Sequence, residues 1–394
     1  MAIFINNLTF PIFRGPMNLN NPEISIILPC RNEEKAIGRC IKDVQEVLKR
    51  NDINGEIIVS DSSADNSPDI ARRLGARLAK HDKKGYGIAC IEGSRLAEGK
   101  YILFADADGT YDFNDIPNML FYLRKGYDIV IGNRFRGKMQ RNAMPLLHKM
   151  IGNPLLSFVL RLFFRARIGD SHCGIRAITK DAFERLNMKT TGMEFASEMM
   201  MKAVTKKLKI KEIPVNYRRR IGKSKLSSFS DGWRHLRFML LYAPDYLFIA
   251  PGIIFFIFGL LIMALFIRGP IEINGFPFYN HPMMLGGFFT LIGYQIIVLG
   301  IYSKVYMKSS GLIRSDRLIN ALSKIITFES GVVIGLTIFA ASFAVGVNVF
   351  IKWLTQGFPA ITDNVLIFVL ITAIIGIQTI FSSFFLSVLL IEKR

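Results

Sequence analysis

Two aspartates at the end of one apolar segment have the spacing of a cation site. The segment Tyr101–Ala105 is predicted to be a buried strand, and Asp106 and Asp108 follow its end directly. Side chains at positions i and i+2 of an extended chain point the same way, so both carboxylates can reach one hard cation. Gly109 then allows the backbone to turn away. The pattern predicts a metal site that binds a diphosphate; the alternative is an acid pair that only solvates a strand end.

Strands and helices alternate around this pair. Apolar segments predict strands at 23–29, 56–60, 77–80, 101–105 and 128–132, and helical spacing predicts helices at 36–48, 88–96 and 116–124. A short helix is predicted after Ser67 at the N-cap and Pro68 at the first helical position, with Gly75 as its stop. This alternation predicts a doubly wound, mostly parallel α/β sheet.

Polar side chains follow three of these strands where each strand ends. Arg31 and Glu33 follow the first strand, Asp61 follows the second, and the aspartate pair follows the fourth. Because the carboxyl ends of parallel strands meet at one edge of a sheet, the three groups predict a single nucleotide-binding crevice. The glycines do not form GxGxxG, so a dinucleotide fold of the dehydrogenase kind is not indicated.

The sequence after Arg134 contains fewer strands and more basic residues. It predicts an amphipathic helix over 146–164, a polar loop at 170–176 that enters a strand, a methionine-rich helix over 194–204 and a strand over 209–217. A basic, glycine-hinged loop follows at 218–225. Residues 230–241 are amphipathic, aromatic and basic, which is typical of a helix lying in a membrane interface.

The charge is concentrated in the first part of the chain. Residues 1–241 hold 41 Lys and Arg against 25 Asp and Glu, and therefore carry +16 of the net charge of +19. Such a domain suits phosphorylated molecules, an anionic membrane surface or nucleic acid. No nucleic-acid motif is present, so no nucleic-acid partner is expected. The four cysteines lack metal-ligand spacing and are expected to be free thiols, and residues 1–16 do not resemble a cleaved signal.

Four apolar segments are long enough to cross a bilayer. They lie at about 246–267, 283–305, 328–351 and 365–391. Basic residues are concentrated in the connection after the second segment and at the C-terminus, so the positive-inside rule places the soluble domain, this connection and the C-terminus in the cytoplasm. The first, third and fourth segments have no charged residue deep within them, which argues against a transporter.

Six short motifs, in this order, resemble the polyprenyl-phosphate glycosyltransferases of glycosyltransferase family two, the dolichyl-phosphate mannose or glucose synthases. The likeness covers about residues 23–251. The motifs are Pro-Cys-Arg-Asn-Glu33, Val-Ser-Asp-Ser-Ser63, Asp-Ala-Asp108, Gly-Asn-Arg-Phe135, Asp-Ser-His-Cys-Gly174 and Arg220-Ile-Gly-Lys-Ser-Lys225. The resemblance implies a GT-A fold (Rossmann-like, mostly parallel) followed by an α-helical membrane domain. The expected organisation is an extension (1–22), a GT-A domain (23–226), an interfacial helix (227–241) and a four-span domain (242–394).

The resemblance also implies roles for individual residues. The nucleotide would contact Pro29, Arg31, Glu33, Asp61 and Asp106, and the metal ligands would be Asp106 and Asp108, holding Mg²⁺ or Mn²⁺. The lipid phosphate and the diphosphate would contact Arg134, His148, Arg220, Ser224 and Lys225. Asp170 and Arg134 are the catalytic candidates, with Asp170 either a base or an orienting group. Some relatives have Gln where this chain has Thr110, so a third side-chain metal ligand is not expected.

The implied reaction is inverting transfer of a hexose from a nucleotide-sugar to a polyprenyl or dolichyl phosphate. UDP-glucose is favoured as donor, and a GDP-mannose-dependent synthase is the alternative. The non-enzyme alternative is a membrane scaffold or inactive relative, which would be expected to lose the paired aspartates. A processive polysaccharide synthase would show Gln-x-x-Arg-Trp, which does not occur. The sequence leaves a homo-oligomer open.

Overall fold

The computed structural model describes residues 22–222, 228–269, 271–273, 276–309, 328–356 and 363–391. These residues form two compact units, one ending at Met239 and the other beginning at Leu240. The expected N-terminal extension lies outside the described residues, apart from its last position. Each unit is described below by itself.

The first unit is built on a seven-stranded sheet. Its strands, in chain order, are β1 (Ile24–Cys30), β2 (Gly55–Asp61), β3 (Arg77–Lys80), β4 (Tyr101–Phe104), β5 (Ile129–Asn133), β6 (Arg176–Thr179) and β7 (Ile210–Pro214). They are arranged in the order β3-β2-β1-β4-β6-β5-β7. All neighbours pair in parallel except β6, which is antiparallel to both β4 and β5. The prediction of a mostly parallel α/β sheet is therefore confirmed.

Among the described residues, eight α-helices belong wholly or mainly to this unit. They are α1 (Ile37–Arg50), α2 (Ser67–Arg73), α3 (Tyr86–Arg95), α4 (Ile116–Arg124), α5 (Asn153–Phe164), α6 (Lys180–Leu186), α7 (Phe195–Thr205) and α8 (Ser228–Leu241). Two details differ from prediction. Asn66, and not Ser67, occupies the N-cap of α2, because the Ser67 hydroxyl accepts a hydrogen bond from the Glu33 amide and donates one to Asp65. The helix predicted from Leu146 does begin there, but a π-helical turn over His148–Gly152 separates its first residues from α5.

The sheet is buried because its central strands are apolar on both faces. β1, β2, β4 and β5 bury nearly every residue, as expected for strands covered by helices on each side. On one face, the ring of Phe104 packs against Phe183 of α6 and Phe195 of α7 at centroid distances of 5.5 and 5.8 Å. Met199 of α7 belongs to this core, and its neighbours Met200 and Met201 are also buried.

The second unit consists mainly of four apolar helices. They are α9 (Ala250–Phe266), preceded by a π-helical turn, α10 (His281–Ser309), α11 (Phe328–Gln356) and α12 (Asp363–Ile391). Each is long and apolar enough to cross a membrane, so the prediction of four spans is confirmed. A small hairpin of β8 (Ile271–Ile273) and β9 (Phe276–Phe278) lies between α9 and α10.

Glycines allow the membrane helices to approach closely. A Cβ atom added at Gly259 of α9 would lie 2.4 Å from the backbone nitrogen of Thr290 in α10. Similarly, a Cβ atom at Gly376 of α12 would lie 2.8 Å from the nitrogen of Phe339 in α11. Small residues at helix contacts are typical of membrane bundles, where dispersion contacts replace the hydrophobic effect.

Candidate active site

The carboxyl ends of β1, β2 and β4 lie side by side, as the sequence predicted. The register pairs Cys30 with Asp61, and it pairs Ile27 with Phe104, the last residue of β4. Asp106 and Asp108 follow β4, at the point where the strand order reverses direction around β1. Because β6 runs the other way, the loop that precedes it, ending in Gly174 and Ile175, reaches this same edge.

Asp108 is almost fully buried and held in a fixed orientation. Its Oδ1 accepts hydrogen bonds from the backbone nitrogen and the hydroxyl of Thr110, at 3.1 and 2.6 Å. Its Oδ2 lies 3.1 Å from Nη1 of Arg220. Gly109 has φ +79°, a backbone conformation that glycine adopts without steric strain. Thr110 therefore orients a carboxylate, a role that the sequence did not predict.

Arg220 lies across the site on a segment that follows β7. The backbone nitrogens of Arg218 and Ile221 donate to the carbonyls of Thr110 and Asp108, at 2.7 and 2.9 Å. The guanidinium of Arg220 bonds both Glu33 and Asp108, with Nη2 2.5 Å from Glu33 Oε1. Its Nε is buried without a hydrogen-bond partner. The guanidinium of Arg220 thus links Glu33 to Asp108, and all three residues were predicted for the site.

Asp61 provides an unpartnered acceptor at the end of β2. The residue is fully buried, and its Oδ1 accepts a hydrogen bond from the Ser63 hydroxyl at 2.5 Å. Its Oδ2 is buried without a hydrogen-bond partner. A buried acceptor of this kind costs about 1–3 kcal/mol unless a ligand or water supplies a donor. Pro29, half-buried in β1, and exposed Arg31 lie beside it.

Arg134 and Asp170 form a buried, bidentate ion pair. Nε and Nη2 of Arg134 donate to the two carboxylate oxygens at 2.7 and 2.8 Å, and its backbone nitrogen donates to Oδ2 at 3.1 Å. The backbone nitrogen of Asp170 is itself anchored on Glu212 Oε1 at 2.8 Å. Asp170 is fully buried and Arg134 is 7% exposed. Burial alone would lower the pKa of Arg134, but the charge and hydrogen bonds of Asp170 hold it well above its ordinary value.

Two tyrosines connect this ion pair to the aspartate pair. The guanidinium carbon of Arg134 lies 5.3 Å from the ring centroid of Tyr217, which makes an edge contact with Tyr111. The hydroxyl of Tyr111 accepts a 2.6 Å hydrogen bond from the backbone nitrogen of Gly174. No role was predicted for these tyrosines. The signal in the sequence was one aromatic residue shortly after the aspartate motif and another directly before the arginine run.

The surroundings of Asp106 disfavour the ionised form of its carboxyl group. Burial, and then the neighbouring charge of Asp108, raise the pKa of Asp106 to about 7, although three arginines oppose the shift. A divalent cation would remove this repulsion, and carboxylate oxygens are the ligands that Mg²⁺ and Mn²⁺ prefer. Among the residues described, no cluster of three or more His, Cys, Asp or Glu could hold a metal. The two aspartates therefore fit a cation that takes its other ligands from substrate and water.

The remaining predicted site residues are less closely connected. His148 is half-buried in the π-helical turn beside Gly152, and within the described residues it has no hydrogen bond to the site. Ser224 and Lys225 lie outside the described residues. Gly174, which the sequence placed only within a motif, is in contact with Asp106: a Cβ atom there would lie 2.5 Å from Asp106 Oδ2.

Cation affinity is expected to weaken about tenfold between pH 8 and pH 6, because a cation must displace the proton that Asp106 holds below about pH 7. Titration of Mn²⁺ followed by electron paramagnetic resonance measures this change. Without a cation, the pKa of about 7 exceeds the ordinary value of 3.8, so the free energy of unfolding should decrease as the pH rises between these values. In Asp106→Asn, the residual affinity for Mn²⁺ should be equal at both pH values. A wild-type affinity for Mn²⁺ that does not change with pH would contradict the prediction.

Two family models match the chain. Glycosyl transferase family 2 matches residues 25–186, and the glycosyltransferase family 2 C-terminal transmembrane region matches residues 301–390. A crystal structure of glucosyl-3-phosphoglycerate synthase from Mycobacterium tuberculosis, with Mn²⁺, uridine diphosphate and glucosyl-3-phosphoglycerate, has a TM-score of 0.45 and 19% identity, over 56% of this chain and 79% of that one.

Two curated relatives come from Haloferax volcanii. The low-salt glycan biosynthesis hexosyltransferase Agl6 is 40% identical over 369 residues, which cover 93% of this chain and 88% of that protein. A dolichyl-phosphate hexose transferase is 29% identical over 211 residues, which cover 53% of this chain and 89% of that protein. The first relative spans both units, and the apolar helices agree with the second family model. The chain is a multi-pass membrane protein that belongs to glycosyltransferase family 2.

Proposed function

We propose that the protein transfers a hexose from a nucleotide-sugar to a polyprenyl or dolichyl phosphate, with inversion at the anomeric carbon. The observation that carries the proposal is that the aspartate pair lies between two arginine side chains. Asp108 bonds Arg220, and the charges of Arg134 and Arg220 both act on Asp106. Such a site can take two phosphate-bearing substrates, because carboxylates hold a cation while arginines neutralise phosphate oxygens. We propose the same division into extension, GT-A domain, interfacial helix and membrane domain as the sequence indicated.

The donor end of the site is assigned to Asp61, Pro29, Arg31 and Glu33. The unpartnered Oδ2 of Asp61 supports a nucleobase there, because uracil and guanine each offer a ring N–H donor. UDP-glucose is the favoured donor on the form of the motifs, and GDP-mannose is the alternative. The relatives named as hexosyltransferases support the sugar class and do not select between these donors.

Asp106 and Asp108 are proposed to hold Mg²⁺ or Mn²⁺ against the diphosphate of the donor. A bound divalent cation supplies charge neutralisation for the leaving nucleotide. Arg220, which Glu33 and Asp108 hold beside the pair, would neutralise phosphate oxygens of the diphosphate. Ser224 and Lys225 are proposed to assist at the phosphates.

The acceptor is proposed to bind at Arg134, with His148 nearby. A phosphate monoester has a second pKa of about 6, so the attacking oxygen is largely ionised at neutral pH and needs no strong base. Asp170 is fully buried and both its oxygens bond Arg134. We therefore propose that Asp170 positions Arg134, and we favour this role over that of a general base. Attack from the side opposite the leaving group gives inversion.

The membrane supplies the acceptor, and the first unit has a surface suited to meet it. Exposed apolar side chains on and before α5 form one face: Leu147, Met150, Ile151, Leu155, Phe158 and Leu162. Lys149, Arg161 and Arg165 flank this face. An apolar helix face bordered by cations is typical of helices that lie in an anionic bilayer surface. On loop charges, we propose that this unit and the C-terminus are cytoplasmic.

Phe158 is expected to contact lipid. The four native cysteines are buried, so Phe158→Cys can be labelled selectively with an environment-sensitive fluorophore in nanodiscs. Emission is expected to shift to the blue relative to the matched variant Phe121→Cys, whose phenylalanine is 48% exposed on α4 against 52% for Phe158. Brominated lipid should quench the label at 158 and spare the label at 121. Equal emission and equal quenching at both positions would show that the α5 face does not meet lipid.

A donor screen tests the function directly. Full-length protein in nanodiscs is given labelled UDP-glucose, GDP-mannose or UDP-N-acetylglucosamine with dolichyl or undecaprenyl phosphate, and label entering a chloroform-soluble product is counted. Transfer from a hexose donor that Asp108→Ala abolishes is the expected result. If the wild type gives no product with any pair and Asp108→Ala behaves identically, the scaffold alternative is favoured. Sugar transfer that Asp108→Ala retains in full would instead contradict the role of the aspartate pair.

A further inference from the structure

A chain of buried hydroxyls and imidazoles crosses the first unit beside the site. The hydroxyl oxygens of Ser157 and Ser171 lie 3.1 Å apart, and Ser171 Oγ lies 2.8 Å from Nδ1 of His172. Nε2 of His172 lies 2.9 Å from Ser197 Oγ, which lies 2.9 Å from Nδ1 of His235. The three serines are no more than 1% exposed and His235 is 7% exposed. These five residues, the serine–histidine chain, join α5, the loop before β6, α7 and α8.

The chain is suited to hold these elements in register. Burial, followed by the charges of His235, Arg176 and Arg134, lowers the pKa of His172 well below its ordinary value, so its imidazole is neutral. A neutral imidazole offers one donor and one acceptor, and a hydroxyl donates once. His172 therefore accepts a hydrogen bond from one of Ser171 and Ser197 and donates one to the other. Each group in the series then donates to the next in the same direction. Each link depends on the next, as in other buried polar networks.

The two histidines of the serine–histidine chain have different neighbours. His172, in its middle, lies two residues after Asp170, which holds Arg134, and two residues before Gly174, which touches Asp106. His235, at one end, belongs to α8, the helix that precedes the first membrane span in the sequence. The loop that positions the proposed acceptor arginine is therefore hydrogen-bonded through one serine to that helix.

Other functions for these residues fit less well. Ser197 is fully buried, and the hydrogen bonds found for its hydroxyl are to imidazoles, so it lacks the access expected of a nucleophile. The two imidazole rings are 4.5 Å apart at 79°, and the described residues around them include no group of three metal ligands. The geometry favours a positioning role.

We propose that the serine–histidine chain fixes the 170–174 loop to α8, so that Arg134 is held in its acceptor-binding position only while His235 of α8 bonds Ser197. This inference rests on the proposed function. Ser197 and His235 are positioning residues, and they act through Asp170. The immediate consequence is that acceptor use depends on a residue of α8, whereas donor binding at Asp61 does not.

A matched pair of variants at His235 tests the proposal in the full-length protein. Asparagine places an amide where Nδ1 of histidine lies and preserves the bond to Ser197, whereas glutamine places its amide one atom further away. We expect His235→Gln and Ser197→Ala each to raise the KM for polyprenyl phosphate about tenfold, the size of effect that small misplacement of a binding group produces. The KM for the donor should change less than twofold, and His235→Asn should resemble the wild type.

Hydrogen exchange gives a readout that does not depend on activity. Peptides covering 170–176 should exchange faster in His235→Gln and Ser197→Ala than in the wild type and His235→Asn, while peptides covering 57–61 in β2 should be unchanged. Unaltered exchange of the loop, equal behaviour of the two His235 variants, or a parallel rise of both KM values would overturn the proposal. An inactive wild type would instead contradict the proposed function, and the exchange data would still decide the role of the chain.

Discussion

Replacing Asp108 by asparagine is expected to lower kcat/KM for sugar transfer by about a thousandfold, the cost of losing one well-placed electrostatic group. The substitution keeps the shape of the side chain but removes the charge that bonds Arg220 and that would hold a cation with Asp106. Mn²⁺ affinity should fall in the same variant, because one of the two carboxylates supplied by the protein is lost. Initial rates of label transfer and Mn²⁺ titration provide the two measurements.

Asp181→Asn is the matched control for this prediction. Asp181 is an exposed residue of α6 that pairs with Arg185 one helical turn away, so the same chemical change occurs outside the site. Its transfer rate should stay within twofold of the wild type. Asp108→Asn must also retain a folded first unit, which thermal unfolding checks. An Asp108→Asn enzyme that is folded and transfers sugar at the rate of the control would remove the aspartate pair from the mechanism.

The main features of the fold were predictable because hydrophobic pattern reports local structure. β3 and α4 have the predicted bounds, and most other predicted elements differ by a few residues at their ends. The direction of β6 was not predictable, because Arg176–Thr179 is short and its pairing with β4 and β5 is decided by contacts far away in the sequence. The N-cap of α2 was mispredicted for a related reason, because the Ser67 hydroxyl accepts a hydrogen bond from Glu33, which is distant in the sequence.

The donor half of the candidate site was easier to predict than the acceptor half. Asp61 ends β2, and Asp106 and Asp108 come shortly after β4, so the parallel sheet alone brings them to one edge. Arg134 and Asp170 are separated by 36 residues of helix and loop, and no local pattern indicates that they form one ion pair. The positions of His148 and the serine–histidine chain depend likewise on how α5 and α7 pack, which periodicity does not specify.

Replacing Asp170 by asparagine is expected to reduce kcat/KM by about a hundredfold if the residue acts by positioning Arg134. It should also lower the free energy of unfolding by about 3–5 kcal/mol, because a buried guanidinium loses its charged partner. Both residues of the pair are nearly inaccessible to water, so solvent screening reduces this cost little. Activity and chemical denaturation of the same preparation are the measurements.

A double-mutant cycle with Arg134→Gln separates positioning from base catalysis. If Asp170 acts only through Arg134, Asp170→Asn should cause no further loss of kcat/KM once the arginine is absent, since there is nothing left to position. If Asp170 removes a proton, the second substitution should still cost about a hundredfold or more, because general-base catalysis would be lost in either background. The double variant should be more stable than the sum of the single effects predicts, because no unpaired charge remains buried. Additive losses of activity would therefore contradict the positioning role, whereas non-additive losses with recovered stability would assign the acceptor chemistry to Arg134 and leave Asp170 as its support.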